Sequence, residues 1–469
     1  MRDFRAARDR EGEAAGRSAE LPLWLAGYSA GMAAIWPLAR LYYWLRVSPD
    51  ASAKYRENHR SRLGLDFPPF FQAAPRIWVH ALSVGETLSA APLLAALKRR
   101  LPGVELVFST ATESGQRIAR DRLGALVDFF FYLPHDFPWA TAEIIHRINP
   151  TVFLQIETDI WPNLVFGLKR KSIPAFLVNA RISPKSFRRM AFFRKIFNSL
   201  FRCYEAIFTQ STEDASRFLA LGAREGKVHA AGNLKFDAVL ASRVSEARLD
   251  ELRRETGIEP NRKVWIAGST HQGEEDMLLG VHDHLRRSYP DLLLILAPRQ
   301  AGRAGEVAAL CEAWRLPHVM RSSRASAAGK SVLLLDTLGE LSSFYALAQL
   351  AFIGGSMVPF GGHNPLEPIV YGTPVLWGPH LFNFREIEET LLKCGCAARA
   401  SSWEELRSVL EERLLDEGLR RGMGDAARRF TPTHSDCSGR IAERVALLSR
   451  SNMISSLTPP SGRNDLFLP

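Results

Sequence analysis

Glu86, in the stretch HALSVGETLSAA, follows an apolar run and a Ser-Val-Gly turn. At a helix start its carboxylate would be held as an anion by the helix dipole. In a desolvated site, with a substrate hydroxyl in reach, the same group can act as a general base. A glutamate at a helix start also needs no function to explain it. Glu157 and Asp159, in QIETDIWPN, follow another apolar run, and capping accounts equally well for Asp159. Farther along, Arg299 lies in ILAPRQ, Lys235 in GNLKFD, and Ser269, Thr270 and His271 in AGSTHQGEE. The segment GGSMVPFGGHNPLEP places Gly354, Gly355 and Ser356 after one apolar run, and His363, Asn364 and Glu367 before the next. Glycine permits tight turns and close backbone approach. Backbone amides and a helix N-terminus there can hold an anionic group, and Glu367 can accept hydrogen bonds from sugar hydroxyls. A glycine-rich connection without a ligand is the plain alternative.

An arginine, a lysine and hydroxyls around a glycine loop make a phosphate site that needs no metal. No Asp-x-Asp triplet occurs, so a metal-bridged diphosphate is disfavoured. His271, His363 and His380 are far apart in sequence and lack metal-ligand spacing, so each reads as a hydrogen-bonding residue. Neither a phosphate-binding P-loop nor a dinucleotide fingerprint is present.

The elements that must position these residues alternate strand and helix. RIWVHAL, VELVFSTA, VDFFFYLP, TVFLQI, AFLVNA and AIFTQ are strand-length apolar runs, each followed by a stretch with helical spacing. The theme pauses near VHAAGNLKFD and resumes with KVWIAGST, DLLLILAPRQ, SVLLLDT, LAFIGGS and TPVLWGP. This predicts two doubly wound, parallel-sheet α/β domains in tandem, facing a cleft, with ligands beyond the carboxyl ends of the strands. The expected divisions are a charged extension over residues 1–20, a membrane-anchor helix over 21–47, domains over 48–240 and 241–450, and a loose tail over 451–469. At 469 residues and 46% apolar content, two domains with substantial cores are affordable. The five cysteines form no CxxC pair and read as reduced thiols.

A formal charge of +10 favours anionic partners. Residues 180–202, ARISPKSFRRMAFFRKIFNSLFR, interleave Arg181, Lys185, Arg188 and Arg189 with phenylalanines. They read as a basic amphipathic helix at a membrane surface, or as a core helix with a solvated basic face. No nucleic-acid recognition motif accompanies the charge. Leu21–Ala39 carries no charge and is followed by Arg40, Arg46, Lys54, Arg56, Arg60 and Arg62. That pattern suits membrane attachment with the main body held in the cytoplasm, through either a spanning or an interfacial helix; a signal peptide or a buried helix is the alternative.

HALSVGE, ETDIWPN, GNLKFD, AGSTHQGEE, LAPRQ, GGSMVPFGGHNPLEP and GPHLFNFREI occur here in the order found in the 3-deoxy-D-manno-octulosonic acid (Kdo) transferases of lipopolysaccharide synthesis. From about residue 22 to 445 the chain resembles that family. The resemblance implies a GT-B glycosyltransferase that moves Kdo from CMP-Kdo to a lipid A precursor, inverting the anomeric centre without metal or cofactor. Carried over by motif, Glu86 would be the general base. Arg299, Lys235, Ser269, Thr270, Gly354, Gly355, Ser356, Asn364 and Glu367 would serve the donor. The phosphate would be held by Arg299 with the Gly354-Gly355-Ser356 turn, and the nucleotide side by Asn364 and Glu367. Arg181, Lys185, Arg188, Arg189 and Glu157 would serve the acceptor. Gln300 departs from the family's usual histidine, and the N-terminal extension is longer than is typical. The competing expectations are a GT-B transferase for another nucleotide sugar and a catalytically idle GT-B homologue that binds lipid or nucleotide.

Overall fold

The computed structural model of the chain describes residues 22–46, 53–434 and 436–457. The expected extension over 1–20 and the tail from 458 lie outside these residues. Two compact units are present: unit 1 comprises 1–238 and 436–469, and unit 2 comprises 239–435.

Unit 1 is built on a parallel sheet of β1 (Arg76–His80), β2 (Glu105–Thr110), β3 (Phe129–Tyr132), β4 (Val152–Ile156), β5 (Ala175–Ala180), β6 (Tyr204–Thr209) and β7 (Val228–Ala230), in the order β3-β2-β1-β4-β5-β6-β7. Side chains alternate across a strand, so β1 sends Ile77 and Val79 into one core and Trp78 into the other. Both faces are buried, which is why its strands read as unbroken apolar runs.

Unit 2 repeats the plan with β8 (Val264–Thr270), β9 (Leu293–Pro298), β10 (His318–Met320), β11 (Val332–Leu334), β12 (Leu350–Ile353), β13 (Val375–Trp377) and β14 (Ala397–Arg399), in the order β10-β11-β9-β8-β12-β13-β14. Strand order reverses between β1 and β4 in unit 1, and between β8 and β12 in unit 2. Such reversals open a crevice beyond the strand ends. The three-residue strands β7, β10 and β14 carry too little apolar sequence to stand out beforehand.

The domain limits need one correction. The helix Cys437–Leu457 belongs to unit 1, not to the second domain, and it carries the chain in helical form past the expected start of the tail at 451. Its buried Cys437, Ile441, Ala442 and Val445 complete the core beneath the helix Val84–Arg100.

The helix Leu23–Arg46 packs on unit 1 through Met32, Trp36, Ala39 and Tyr43. Trp24 Nε1 donates to Ser199 Oγ at 3.1 Å, Ser29 Oγ to Asn163 Oδ1 at 2.6 Å, and Trp36 Nε1 to the Leu63 carbonyl at 2.9 Å. Among the described residues no helix is long and apolar enough to cross a membrane. Its outer face leaves Leu23, Ile35, Leu38, Leu41, Trp44 and Leu45 exposed. The basic segment after Arg181 is two helices rather than one, Pro184–Phe192 and Arg194–Phe201, broken at Phe193. Phe192 and Phe193 stand 84% and 53% exposed at the break.

Candidate active site

Glu86 and Glu157 follow the strands at the reversal of unit 1, Ser269–His271 and Gly354–Glu367 those at the reversal of unit 2, and Arg299 follows the neighbouring strand β9. In unit 1, β1 runs into Ser83, which caps the helix Val84–Arg100. Ser83 Oγ accepts from the Glu86 amide and donates to Glu86 Oε1 at 2.8 Å, while the Leu82 amide donates to Glu86 Oε2 at 2.6 Å. This is a variant of the capping box, the carboxylate reaching the amide one residue before the N-cap, and it fixes the carboxylate's direction. Glu86 is only 8% exposed. Burial raises its pKa above the usual carboxylate value; the Leu82 amide and Ser83 oppose this, and the charges of Glu157 and Asp159 add to it. Each carboxylate oxygen has one bond in place and a second lone pair free, so the group can still take a proton.

The loop after β4 supplies Glu157, whose backbone sits in the left-handed region at φ +61°. Its carboxylate lies 3.8 Å from Arg181 Nε and 3.8 Å from Lys235 Nζ. Lys235 therefore sits beside an acidic group of unit 1, and a donor contact for it has no support within that unit. Asp159 has its pKa raised by burial, and its Oδ2 is buried without a partner among the described residues. Lys185, Arg188 and Arg189 are exposed along the helix Pro184–Phe192, which buries none of its residues fully.

Sequence reasoning missed Asp136. Its carboxylate accepts from the amides of Asn163 and Leu164 at 2.8 and 3.0 Å, at the start of the helix Pro162–Arg170. Burial raises its pKa to about 6, against the pull of those amides, and Asn163 itself accepts from Ser29 Oγ of the N-terminal helix. The N-terminal helix is thus tied by polar contacts to the start of the helix that follows the Glu157 loop.

In unit 2 the loops after β8 and β12 are stitched together. Gly354 lies so close to the Ser269 carbonyl that a Cβ there would collide with it. Gly355, at φ +69°, faces the His271 ring, where a Cβ would approach to 3.2 Å. The turn was expected to offer its amides to phosphate, and here the expectation fails. Glu274 is fully buried, and its carboxylate accepts from the amides of His271, Gly355, Ser356 and Met357 at 3.0, 2.7, 3.1 and 3.0 Å. The Gly354 amide donates to the Gly268 carbonyl. Ser356 is buried, its hydroxyl donating to the Ile353 carbonyl and accepting from the Gly378 amide. An internal anion thus fills the nest that an external one would need. Thr270 is likewise fully buried, its hydroxyl without a partner among the described residues, and Ser269 turns the chain at φ +57°. Neither Ser356 nor Thr270 presents a hydroxyl to solvent.

What remains open to a ligand is Arg299, Asn364, Glu367 and two histidines. Arg299 is exposed after β9, anchored by its amide to the Thr270 carbonyl, and its guanidinium has no hydrogen-bond or ion-pair partner among the described residues. Asn364 Oδ1 accepts from the Leu366 amide at 3.1 Å and shapes the entry to the short helix Leu366–Ile369. Glu367 has no hydrogen-bond partner among the described residues; burial lifts its pKa to about 7, against the pull of Arg299. His271 and His363, far apart in sequence, meet: Nε2 to Nε2 is 2.9 Å. No alternation or spacing signal reveals that contact. Among the described residues no three of His, Cys, Asp and Glu are grouped to hold a metal ion.

Residues 57–238 match the family model described as 3-Deoxy-D-manno-octulosonic-acid transferase (kdotransferase). The chain is 33% identical over 377 residues to the 3-deoxy-D-manno-octulosonic acid transferase of Haemophilus influenzae, covering 80% of this chain and 87% of that one. It is 33% identical over 427 residues to the enzyme of that name from Bordetella pertussis, covering 89% and 98%. Among solved structures, UDP-GlcNAc 2-epimerase from Neisseria meningitidis, bound to UDP-GlcNAc, superposes with a TM-score of 0.54 at 12% identity, over 80% of this chain and all of the other. A glycosyltransferase from Rickettsia africae gives 0.52 at 11% identity, over 81% of this chain and 99% of the other. At such identities these structures speak for the fold alone, which is GT-B. The sequence relatives carry the assignment: the chain belongs to the 3-deoxy-D-manno-octulosonic acid transferase family of glycosyltransferases.

Proposed function

We propose that this enzyme moves Kdo from CMP-Kdo to a hydroxyl of a lipid A precursor, inverting the anomeric carbon, with Glu86 as the general base and no metal. The observation that carries the mechanism is the buried carboxylate of Glu86 at the strand-order reversal of unit 1, its pKa raised by burial. A base of this kind takes the proton of the acceptor hydroxyl as its oxygen attacks the anomeric carbon. The bond from that carbon to the phosphate oxygen breaks, and CMP leaves with the electron pair. Arg299, exposed after β9 of unit 2 and without a hydrogen-bond or ion-pair partner among the described residues, is suited to the charge gathering on the phosphate. Glu367, without a hydrogen-bond partner among the described residues, is suited to sugar hydroxyls of the nucleotide. Glu157, Arg181, Lys185, Arg188 and Arg189 would meet the phosphorylated acceptor.

The same proposal places the enzyme at the cytoplasmic face of the inner membrane. The exposed apolar face of Leu23–Arg46 supports an interfacial rather than a spanning attachment. The exposed Phe192 and Phe193 border a cavity of about 690 Å³ with Arg194 and Lys195, a surface suited to acyl chains below phosphates.

The test is direct: incubate purified protein with CMP-Kdo and a tetraacylated lipid A precursor, with UDP-sugars as controls, and weigh the lipid. Kdo addition from CMP-Kdo alone is expected. Transfer from a UDP-sugar instead would replace this reading with the other-donor one, and binding without transfer would favour the idle homologue.

A further inference from the structure

We infer that His271 and His363 act as a single hydrogen-bonding unit that gives an Nδ1–H to an anionic oxygen of the nucleotide sugar. The inference deepens the donor reading above and rests on it.

His271 leaves the end of β8 and His363 stands in the loop after β12, so the two strands at the reversal of unit 2 each contribute one ring. Their Nε2 atoms are 2.9 Å apart, a hydrogen-bond distance. Such a bond requires one Nε2 to carry a proton and the other to offer a lone pair. The accepting ring must then hold its own proton on Nδ1, whatever the charge of its partner. The pair therefore always presents at least one Nδ1–H. Neither Nδ1 has a partner among the described residues.

The rings are also held in place. Phe360 stacks on His271 with centroids 4.2 Å apart and planes 18° apart, and the rings of the pair lie 7° from parallel. Gly355 presses from beneath: a Cβ at that position would come within 3.2–3.3 Å of the His271 ring. Two half-buried imidazoles locked by stacking, joined to each other and each with a free nitrogen, are organised for a ligand beyond what packing requires.

The chemistry nearby indicates an anion. Arg299 lowers the pKa of both rings electrostatically and has no ion-pair partner among the described residues. Burial is the larger cause in each ring. Arg303 also lowers that of His271, against Glu275. The pair is thus favoured in its neutral form, in which one ring presents an Nδ1–H, beside a fixed cation. CMP-Kdo carries two anionic groups close together, the phosphate and the carboxylate of the sugar acid, and either fits this chemistry.

The test uses the full-length enzyme with His271→Phe, His363→Phe and the double variant, which keep an aromatic ring and remove its nitrogens. A hydrogen bond to a charged group contributes about 1.5–3 kcal/mol, so each single variant should raise KM for CMP-Kdo by roughly 10–100-fold. The account expects kcat to stay within about threefold and the double variant to be no worse than the poorer single one, because the rings act together. Titration with CMP alone separates the two anions. Weakened CMP binding indicates the phosphate; unchanged CMP binding with weakened CMP-Kdo binding indicates the carboxylate. Single variants whose KM and CMP-Kdo affinity stay at the wild-type level overturn the inference, as does a double variant whose loss is the product of the two singles. Should a variant not fold, histidine nitrogen NMR on the wild type decides instead: an Nδ1 resonance of the pair must move on adding CMP-Kdo, and a spectrum unchanged at saturation sinks the proposal. Wild-type protein that neither binds nor turns over CMP-Kdo overturns the donor reading itself, which is a separate failure.

Discussion

Glu367 is a carboxylate whose environment favours its proton. Burial lifts its pKa from 4.5 to about 7. A folded-state pKa above the unfolded value means the fold binds the proton more tightly, so this group's contribution is fully present below about pH 4.5 and is lost as pH rises through 7. Glu367→Gln mimics the protonated form. The ligand-free variant should match wild type near pH 5 and exceed it at pH 8 by up to about 3 kcal/mol, read as a higher Tm. The same change should raise KM for CMP-Kdo, since an acceptor of sugar hydroxyl bonds is lost. A Tm difference independent of pH would contradict the assignment. The sequence singles this residue out by its place just after a glycine loop at a helix start, although a helix-start glutamate by itself needs no function. The His271–His363 contact was not, because it forms between the ends of separate strands and depends on the sheet bringing β8 beside β12. Glu274 also hid in plain view: its work is to accept backbone amides, and no residue type marks the donors.

At the scale of elements, Glu274 joins the loop after β8 to the loop after β12 through four amides. Glu274→Ala leaves buried donors unpaired and should destabilise unit 2 by roughly 3–5 kcal/mol. Glu274→Gln, nearly isosteric, should also be costly, because its NH2 would face amide donors. Chemical denaturation followed by fluorescence checks both, and a Gln variant as stable as wild type would show that the charge is not needed. The N-terminal helix offers a second check. Leu38 and Leu45 are exposed on its outer face, so replacing both with Asp should leave Tm unchanged and sharply reduce flotation with anionic vesicles. Equal flotation would move the membrane contact elsewhere. Strand and helix alternation was readable because parallel strands buried on both faces must be apolar throughout. The break at Phe193 was not readable, because helical spacing continues on both sides of it. The same holds for the packing of Leu23–Arg46 on unit 1, since tryptophans suit both a lipid interface and a protein surface.

For the whole molecule, the chain leaves unit 1, builds unit 2 and returns, so that the last helix completes the first core. Sequence order concealed this, since Cys437–Leu457 follows unit 2 directly. Ending the chain at Ser435 should therefore uncover Leu93, Leu97 and their neighbours in unit 1. Calorimetry of the truncated protein should show unit 1 melting earlier or aggregating while unit 2 keeps its transition; an unchanged unit 1 would mean that the helix is dispensable. Each of the two doubly wound units carries candidate residues beyond its own strand ends, Glu86 in unit 1 and Arg299, Asn364 and Glu367 in unit 2. The measurement that tests this most directly is mass spectrometry of the lipid A precursor after incubation with CMP-Kdo, using wild type beside Glu86→Gln. The account expects Kdo addition by wild type and a loss of about 10²–10⁴-fold in rate for the variant, with CMP affinity retained. No addition by wild type, or equal rates for the two proteins, would contradict it.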